Sequence, residues 1–396
     1  MKILLISRCP PWPLHLGDRL IVYHLGSELE LRRHEIDLLA FTNRAEDWDE
    51  QDHYDYKFGH VELIQEPRRT LLGYIRRLLW PSARFPRRAE DAWSPAMWRA
   101  IERRLDAEHY DVIQLFGGIH VYEYRHALRG LPAVITPYES FSLYLRRALA
   151  GAATLRQKAS LWAQMQISRA YERFMFMPYD RTVVVAEPDR VELRQLYPAL
   201  AVDVIPNGVD LDQFRITPMQ RLTDTLLFTG NYDYAPNVDA ALRLATEILP
   251  LVQARIPGVK LWLVGNAPPP ELQALASDSI KVTGRVPDMK PYLARATAFV
   301  SPLRLGAGIK NKVLEAMALG CPVVATPISV DGISVTNGHD ALVADDDALA
   351  DTVVWLLQDL ALQAELSTSG RKLIEARYSW ERVAALYETL YTEVSR

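Results

Sequence analysis

Short apolar runs alternate with segments of helical periodicity along the first half of the chain. KILLIS (2–7) and EIDLLAF (35–41) have the length and composition of buried strands, and the segment LIVYHLGSELELRRH (20–34) between them spaces its apolar residues as a helix does. The pattern predicts strands at 2–7, 35–41, 61–64, 111–116, 131–139, 181–187 and 201–208, and helices at 20–34, 96–110 and 142–177. Strands that alternate with helices favour a parallel sheet in a doubly wound α/β fold.

The same alternation starts again in the second half of the chain. It predicts strands at 224–232, 259–266, 280–286 and 297–303, and helices at 237–256, 347–358 and 378–394. Two successive α/β series of similar size predict two facing Rossmann-like domains, 1–208 and 224–375. The polar segment 209–223, which contains Pro218, is the predicted linker between them.

Charge and cysteine content narrow the class of protein. The 396 residues carry a net charge of −4, so overall charge gives no argument for nucleic-acid binding. Cys9 and Cys321 are far apart in sequence, which indicates a reducing compartment rather than a disulfide framework. The N-terminal apolar run is too short for a signal-peptide core, and no run approaches the ~20 residues that span a bilayer. These features predict a cytoplasmic protein that can still contact a membrane surface.

A glycine-rich loop in LRLGAGIKNKVLEAMALGCPVVAT (303–326) carries the most informative chemistry. It lies between a predicted strand and a helix, at the edge of a parallel sheet where ligands bind in such folds. Glycine lets the backbone approach a ligand, and cations at a helix start favour a diphosphate. The candidate diphosphate residues are Arg304, Gly306, Gly308, Lys310 and Lys312, and Glu315 on the following turn suits ribose hydroxyl groups.

Two better-known phosphate-binding patterns are absent from this loop. It matches neither the fingerprint G-x-G-x-x-G nor the loop G-x-x-x-x-G-K-[ST]. Glycine and lysine content alone fits a solvated surface loop equally well. The residue pattern therefore predicts a nucleoside-diphosphate site and leaves a surface loop as the alternative.

Longer motifs around the loop carry a family resemblance. GAGIKNKVLEAMALGCPVVAT resembles the donor-binding signature of glycosyltransferase family 4, whose members are retaining enzymes of the GT-B fold. VIPNGVDLDQF (204–214) resembles the interdomain signature of that family, and LLFTGNYDYAPNVDAALRLATEILPLV (226–252) the start of its C-terminal domain. SRCPPWPLHLGDRLIVYHL is similar to the loop after its first strand. The resemblance covers nearly the whole chain and is strongest to bacterial sugar transferases of exopolysaccharide and envelope glycan assembly.

The resemblance implies a donor cleft between the two domains and a C-terminal helix, within 376–396, that packs back on the first domain. A nucleotide-diphosphate sugar would bind mainly to the C-terminal domain, and a glycan or lipid-linked acceptor to the N-terminal domain. Transfer would retain the anomeric configuration and would need no cofactor or metal, because cations and helix dipoles stabilise the leaving diphosphate. The residues carried over are Arg304 and Lys310 for the diphosphate, Glu315 for the ribose, Gly284 and Arg285 for the base, and Gly17 for the phosphate from the first domain.

The sequence departs from the family pattern at the sugar-contacting positions. Ala307 stands where the family often has the first acid of an E-x7-E pair, and Asn231 stands at the position of a diphosphate-binding arginine. Tyr138 and Glu139 replace a histidine that the family often places after a strand of the N-terminal domain, and His120 lies nearby in sequence. We therefore take Glu139, His120 and Tyr138 as catalytic candidates and Asn231 as a donor-binding candidate.

The segment RRTLLGYIRRLLWPSARFPRR (68–88) contains seven arginines and no acid, interleaved with leucine and aromatic residues. This composition predicts a surface that docks on an anionic membrane, and a solvated connecting helix is the alternative. No nucleic-acid recognition motif accompanies the charge, so a nucleic-acid partner is not predicted.

The residues and the resemblance together predict an enzyme that transfers a sugar from a nucleotide-diphosphate donor to a glycan or lipid-linked acceptor in bacterial polysaccharide or envelope biosynthesis. The predicted location is the cytoplasm, with peripheral contact at the inner face of the membrane. Two alternatives stay open: a GT-B protein that binds nucleotide without turnover, and a GT-B nucleotide-sugar epimerase. A dehydrogenase is disfavoured because no dinucleotide fingerprint follows KILLIS.

Overall fold

The computed structural model describes residues 1–14, 17–216 and 219–396. They form two compact units, one of Met1–Asn207 with Trp380–Arg396 and one of Gly208–Ser379. The described part of the predicted linker 209–223 belongs to the second unit, where Leu222 N donates to Arg295 O at 2.7 Å. Pro218, part of the reason for predicting a linker, lies outside the described residues.

Seven parallel strands form the sheet of the first unit. They are β1 (Lys2–Ser7), β2 (Glu35–Thr42), β3 (His60–Gln65), β4 (Val112–Phe116), β5 (Ala133–Tyr138), β6 (Arg181–Val184) and β7 (Val202–Val204). Their order in the sheet is β3-β2-β1-β4-β5-β6-β7. The chain thus adds strands to one side of β1, and then, from β4 onward, to the other.

Helices cover both faces of this sheet. They are α1 (Gly17–Leu31), α2 (Leu71–Leu79), α3 (Pro95–Ala107), α4 (Phe141–Ala150), α5 (Leu155–Met175), α6 (Glu187–Leu196) and α14 (Trp380–Val394). Alternate residues of β1 point to opposite faces, so Leu5 packs with Leu25 of α1 and Val383 of α14, whereas Ile6 packs in the cluster that contains Ile101 of α3. The apolar run of β1 is buried because both of its faces are covered.

The C-terminal helix α14 is part of the core of the first unit. Tyr387 and Tyr391 are buried, and the Tyr391 hydroxyl donates to Gln114 Oε1 of β4 at 3.0 Å. Trp380 at the start of the helix stacks on His24 of α1, with ring centroids 5.2 Å apart. The last residues of the chain therefore stabilise the unit in which the chain begins.

The second unit has a six-stranded parallel sheet. Its strands are β8 (Thr225–Thr229), β9 (Lys260–Val264), β10 (Ile280–Val282), β11 (Ala298–Ser301), β12 (Val323–Ala325) and β13 (Leu342–Val343), in the order β10-β9-β8-β11-β12-β13. The helices are α7 (Ala235–Arg243), α8 (Leu249–Gln253), α9 (Pro270–Gln273), α10 (Lys290–Arg295), α11 (Asn311–Ala318), α12 (Leu349–Gln358) and α13 (Leu360–Arg377). The direction of strand addition reverses between β8 and β11, which makes this the topological switch point of the second sheet.

The pattern of alternation predicted the elements well, but some of their limits differ. The predicted helix 142–177 is two helices, α4 and α5, because the hydroxyl of Thr154 accepts a hydrogen bond from Gln157 N and caps the start of a new helix. The predicted strand 259–266 ends at Val264, since Gly265 has a φ of +156° and its neighbour in space is the backbone of Gly230. Among the described helices, none combines the length and apolar character needed to cross a membrane.

Candidate functional site

The catalytic candidates lie at the carboxyl edge of the first sheet. β4 and β5 are neighbours there, His120 follows β4 and Tyr138 is the last residue of β5. Gly17 begins α1, which follows β1 on the other side of β4. The loops that contain these residues therefore meet at one edge of the sheet, as the fold class predicts.

Tyr138 has an unusual backbone and an unused polar group. Its φ is +73°, a value that residues with a side chain rarely adopt, and the pairing of β5 with β6 is irregular just before it. The ring stacks on Phe116, with centroids 6.0 Å apart. The buried hydroxyl has no hydrogen-bond partner among the described residues, and burial raises the pKa of the phenol well above its usual value. A strained residue with an unsatisfied hydroxyl at a strand end is a candidate for contact with a substrate.

His120 ends a short 3₁₀ turn, Gly118–His120, directly after β4. Its Nδ1 lies 3.2 Å from the carbonyl oxygen of Gly117, which can only accept, so the neutral ring carries its proton on Nδ1 and a lone pair on Nε2. Glu66 Oε1 is 3.6 Å from Nε2. Burial, with the charges of Arg69 and Arg8 as further causes, lowers the pKa of His120 to about 4. The ring is therefore neutral near pH 7 and can accept a proton at Nε2.

Glu139 lies between Tyr138 and the helix α4, and its side chain is half-buried. The next residue, Ser140, caps α4 through its hydroxyl, and Ser140 N donates to Asp189 Oδ1 at 2.8 Å. The carboxylate of Glu172 accepts from Phe141 N at 2.7 Å at the same helix start. These contacts fix the backbone directly after Glu139, so its position is determined by α4 as well as by β5.

Two charged residues near Gly17 were missed by sequence reasoning. Arg8 follows β1, and its Nε lies 3.0 Å from Asp18 Oδ2 in the first turn of α1. Gly17 itself is exposed. The ion pair joins the end of β1 to the start of α1, and an arginine next to a strand end was the only signal in the sequence that could have indicated it.

The glycine loop of the second unit connects β11 to α11 at the switch point. Gly308 has a φ of +63° and Gly306 a φ of +153°, so both occupy backbone conformations that favour glycine. Lys310 Nζ donates to Ala307 O at 2.9 Å and to Gly308 O at 2.6 Å. Lys310 is thus both the residue that precedes α11 and the side chain that closes the loop.

Lys312 lies in the first turn of α11 and reaches across the switch point. Its Nζ donates to Asn237 Oδ1 at 2.5 Å and lies 4.6 Å from the centre of the Phe228 ring. Burial, with the charge of Lys310 as a second cause, lowers the pKa of its ammonium to about 7, and the charge of Glu315 opposes the shift. Phe228 belongs to β8 and Asn237 to α7, so the first turn of α11 contacts both β8 and the helix that follows it.

Glu315 follows Lys312 by three residues on α11, which places both on the same side of the helix. Its carboxylate makes no hydrogen bond to the described residues. Burial raises its pKa to about 7, and the charge of Lys312 works against that shift. Near neutral pH the group can therefore donate as well as accept a hydrogen bond, which suits hydroxyl groups.

Asn231 and Asn237 form the opposite wall of this site. Asn237 Nδ2 donates to Asn231 O at 2.8 Å, and Asn266 Nδ2 donates to Asn231 Oδ1 at 3.2 Å. A side chain at Gly265 is excluded, because its Cβ would lie 1.8 Å from Gly230 O. The chain segments that follow β8 and β9 are therefore packed backbone to backbone. The side chains of Asn231, Asn237 and Asn266 are hydrogen-bonded next to them.

Arg304 has carboxylate partners that the sequence did not indicate. Its Nε lies 3.0 Å from Asp346 Oδ2 and its Nη2 lies 3.2 Å from Glu247 Oε2. Arg243, which is buried, binds the same two acids at 2.8 Å and 3.4 Å. Arg304 therefore belongs to a four-residue ion network, and its assignment to the diphosphate stays a prediction.

Gly284 and Arg285 lie after β10, the edge strand of the second sheet. Both are exposed, and an added side chain at Gly284 would meet nothing within 4 Å.

The structure thus brings Gly306, Gly308, Lys310, Lys312 and Glu315 together at one helix start, with Asn231 reached through Asn237. It places Arg304 in a separate ion network and Gly284 and Arg285 at the sheet edge. Asn237 and Phe228 are the site residues that sequence reasoning missed.

Comparison with known proteins agrees with this architecture. Residues 20–213 match the family model for glycosyltransferase family 4, and residues 223–359 match the model for glycosyl transferases group 1. HepE of Anabaena, solved in complex with UDP and glucose, matches 99% of this chain and 100% of that chain with a TM-score of 0.66 at 14% identity. The two Rossmann-like units therefore have the fold of GT-B glycosyltransferases. Because the two family models together match most of its residues, the chain belongs to glycosyltransferase family 4.

Two curated relatives are mannosyltransferases. A phosphatidyl-myo-inositol mannosyltransferase of Mycobacterium leprae is 31% identical over 208 residues, which is 48% of this chain and 54% of the relative. A GDP-mannose-dependent alpha-(1-6)-phosphatidylinositol monomannoside mannosyltransferase of Mycobacterium tuberculosis is 28% identical over 250 residues, 57% of this chain and 64% of the relative. The chain spans about half the length of the curated relatives it matches.

Proposed function

We propose that the chain transfers a hexose from a nucleoside-diphosphate donor to a lipid-linked acceptor, with retention of the anomeric configuration. The observation that carries the proposal is the arrangement of Lys310, Lys312 and Glu315 around a glycine loop at the switch point of the second sheet. Two ammonium groups suit a diphosphate, and a carboxyl group one helical turn later suits a ribose.

The start of α11 supports the same ligand. Lys310 occupies the N-cap position, and no side-chain capping bond is made there. A helix start carries a partial positive charge and N–H groups that favour a phosphate. Asn237 holds the Lys312 ammonium in place through its amide oxygen, so the cation is positioned before a ligand arrives.

The donor we propose first is GDP-mannose. The relative from Mycobacterium tuberculosis depends on GDP-mannose, and both curated relatives act on phosphatidylinositol-type acceptors by name. The fold alone does not select the base, since HepE of the same fold binds UDP. We therefore propose guanine as the base because of the relatives that are similar in sequence, and not because of the fold.

The proposed reaction breaks the bond between the anomeric carbon and the diphosphate and forms one to an acceptor hydroxyl. The hydroxyl proton passes to the departing phosphate, and the cations and the helix start stabilise the negative charge that develops there. His120, neutral with a lone pair on Nε2, and Tyr138, with an unused hydroxyl, are the candidates for holding the sugar or acceptor hydroxyls. Glu139 is the third candidate.

An apolar face of α2 supports a membrane-bound acceptor. Leu71 and Leu72 are 76% and 75% exposed, and Trp80 after the helix is 56% exposed, whereas Tyr74 and Leu78 pack inward against the core. Four of the seven arginines of 68–88 are exposed, and the segment contains no acid; the exposed ones are Arg68, Arg76, Arg87 and Arg88. We propose that it docks on an anionic bilayer, because leucine and tryptophan enter the interface while arginine binds lipid phosphates.

A nucleotide-binding protein without turnover is the second candidate. It is favoured by Ala307 and by the binding of Arg304 to two carboxylates, since both reduce the number of groups that contact a donor in the proposed site. The third possibility, a nucleotide-sugar epimerase, is not favoured by any observation of this kind.

Calorimetric titration followed by a transfer assay separates these candidates. Purified protein is titrated with GDP, UDP, ADP and dTDP without metal, and then incubated with radiolabelled GDP-mannose and phosphatidylinositol vesicles. Preferred binding of GDP with label recovered in the lipid phase supports the proposal. Nucleotide binding without transfer to this or any other lipid acceptor favours the second candidate, and binding of none of the four nucleotides contradicts both.

A further inference from the structure

A cavity lined by arginines lies beside the C-terminal end of α2, in the first unit. Its volume is about 720 Å³, and its lining includes Pro81, Asp91 and His126 as well as four arginines, Arg76, Arg77, Arg87 and Arg88. None of the donor-binding or catalytic candidates lines it. The proposed transfer reaction therefore does not account for this cavity.

The charges of the cavity are only partly balanced. Arg77 Nη2 lies 2.7 Å from Oε2 of the buried Glu123, and Arg88 Nη2 lies 3.2 Å from Asp91 Oδ2. Within the part of the chain that the structure describes, no carboxylate is within ion-pair distance of Arg76 or Arg87. Two guanidinium charges thus remain without a counter-charge at the wall of one cavity.

His126 is the titratable residue of the cavity lining that is not an arginine or an acid. Its pKa is lowered by burial, and then by the charges of Arg87 and Arg125. The ring is therefore neutral near pH 7 and adds hydrogen-bonding capacity without adding charge.

The walls of the cavity are held in place by contacts behind them. Arg84 Nε donates to Arg77 O and its Nη2 donates to Leu78 O, each at 3.1 Å, so the segment after α2 is tied to the end of the helix. Phe85 packs edge-on against Tyr122 with centroids 5.7 Å apart. The arginine side chains therefore extend from a fixed backbone, which lowers the entropy lost when a ligand binds.

We propose that this cavity binds a phosphate group carried by a phospholipid headgroup or by a soluble phosphate ester. The planar guanidinium presents paired N–H donors that match phosphate oxygens. A phosphate monoester, which carries nearly two negative charges at neutral pH, would balance both Arg76 and Arg87, and the phosphodiester of a phospholipid headgroup, with one negative charge, would balance one of them. The volume lies within the roughly 300–1,000 Å³ of ligand pockets, so a headgroup larger than phosphate fits. None of its lining residues is a donor-site candidate, and Arg76 and Arg77 place it next to the exposed apolar face of α2.

The first test compares two double variants with inorganic phosphate as the probe. Arg76→Ser with Arg87→Ser removes the two unbalanced charges, and Arg156→Ser with Arg194→Ser removes two exposed arginines elsewhere in the same unit. Phosphate affinity measured by calorimetry should fall at least about tenfold in the cavity variant and stay unchanged in the control. Equal affinity in both variants would overturn the proposal.

Two further measurements check that a loss of phosphate binding is caused neither by unfolding nor by a change at the donor site. Both variants should unfold at the same temperature as the unchanged protein and should bind GDP with the same affinity. Loss of phosphate binding with GDP binding intact then assigns the phosphate to the cavity. If the proposed transferase function is wrong, the unchanged protein should fail to bind GDP, and this result does not depend on whether the cavity binds phosphate.

Two further probes identify the source of the phosphate. Glycerol 3-phosphate tests a soluble ester, and vesicles of phosphatidylcholine with 30 mol% phosphatidylglycerol, against pure phosphatidylcholine, test a headgroup (about 30% is chosen to give a clear surface charge). Loss of vesicle binding together with loss of phosphate affinity in the cavity variant, beyond the losses in the control variant, indicates the lipid. Loss of vesicle binding with phosphate affinity intact is explained by the docking surface of 68–88 alone and contradicts the proposal. Loss of glycerol 3-phosphate binding alone in the cavity variant indicates a soluble ester, and no loss with either probe contradicts the proposal.

Discussion

The Lys312 ammonium donates to Asn237 Oδ1 at 2.5 Å and so joins α11, the helix after β11, to α7, the helix after β8. The two strands are neighbours in the sheet, but the two residues are 75 positions apart in sequence. A cation held in this way sits at the switch point with one donor already used and with its remaining N–H groups available to define a ligand position. The contact gives the proposed phosphate site of the second unit a positioned cation, although Asn231 stands where the family often has an arginine.

Replacement of Lys312 by methionine should weaken the binding of a nucleoside diphosphate by about 1.5–3 kcal/mol, the contribution of a charge-assisted hydrogen bond. Calorimetry with GDP or UDP measures this loss. Lys372→Met is the matched control, since Lys372 is an exposed lysine of α13 in the same unit. Equal losses in the two variants would contradict the assignment.

The same lysine predicts the pH dependence of binding. Because burial lowers the pKa of Lys312 to about 7, its ammonium loses its proton as the pH rises above that value. Diphosphate affinity in the unchanged protein should therefore fall between about pH 7 and pH 9, and Lys312→Met should show a flatter profile.

Replacement of Glu315 by glutamine should reduce affinity for guanosine as well as for GDP, by about 1–2 kcal/mol, because a hydrogen bond to a ribose hydroxyl is lost or weakened. Glu365→Gln, on the exposed side of α13, is the control. If Glu315→Gln leaves the affinity for the nucleoside unchanged while that for the diphosphate falls, the carboxyl group acts on the diphosphate region and the ribose assignment is wrong.

Replacement of Tyr138 by phenylalanine should separate stability from activity. The hydroxyl is buried without a partner in the described part of the chain, so its removal should leave the free energy of unfolding unchanged or raise it by up to about 1 kcal/mol. If the hydroxyl contacts the substrate, kcat should fall about tenfold or more while the melting temperature stays the same. Loss of stability together with unchanged kcat would remove Tyr138 from the catalytic candidates.

His120 predicts a loss of stability in acid. Its folded-state pKa, lowered to about 4, lies below the ordinary 6.5, so the unfolded chain takes up a proton first as the pH falls. Stability from this residue is present above pH 6.5 and is lost between pH 6.5 and pH 4, by about 3 kcal/mol in total. Denaturant unfolding at pH 7 and pH 4 measures it, and His120→Gln should lose correspondingly less. An equal acid-dependent loss in both proteins would show that other groups cause it.

Replacement of Leu71 by glutamate should reduce binding to anionic vesicles by tenfold or more, since a carboxylate on this face is repelled by lipid phosphates and does not enter the interface. Flotation with phosphatidylglycerol vesicles measures the bound fraction. Leu360→Glu is a close control, because both leucines are 76% exposed and Leu360 begins a helix of the second unit. Similar binding of both variants would mean that the face of α2 does not contact the membrane.

The alternation of apolar runs and helical segments was sufficient to predict two α/β units, because strand and helix periodicity are local properties of the chain. It also placed Gly306, Gly308, Lys310 and Glu315 on one loop and the helix that follows it, since these residues lie within ten positions of one another. Residue type at that spacing predicted a nucleoside-diphosphate site, with a solvated surface loop as the alternative, and the ligand stays a prediction.

Contacts between distant residues could not be predicted in this way. Arg304 lies beside the glycine loop in sequence, yet its guanidinium binds Asp346 and Glu247, which are 42 and 57 residues away. The hydroxyl of Tyr138 is likewise unsatisfied because of what packs around it. The division of 142–177 into two helices is different, because it follows local signals that the sequence contains, the end of α4 at Gly151 and the Thr154 cap of α5.

The sequence by itself determined the order of strands and helices, the nature of the glycine loop and the arginine content of 68–88. Only the tertiary structure decided which lysine meets Asn237, which arginine is already bound to acids, and that Arg76 and Arg87 share a cavity without a counter-charge. The reason is that side-chain partners and burial are set by packing between segments far apart in the chain. Local periodicity does not encode that packing.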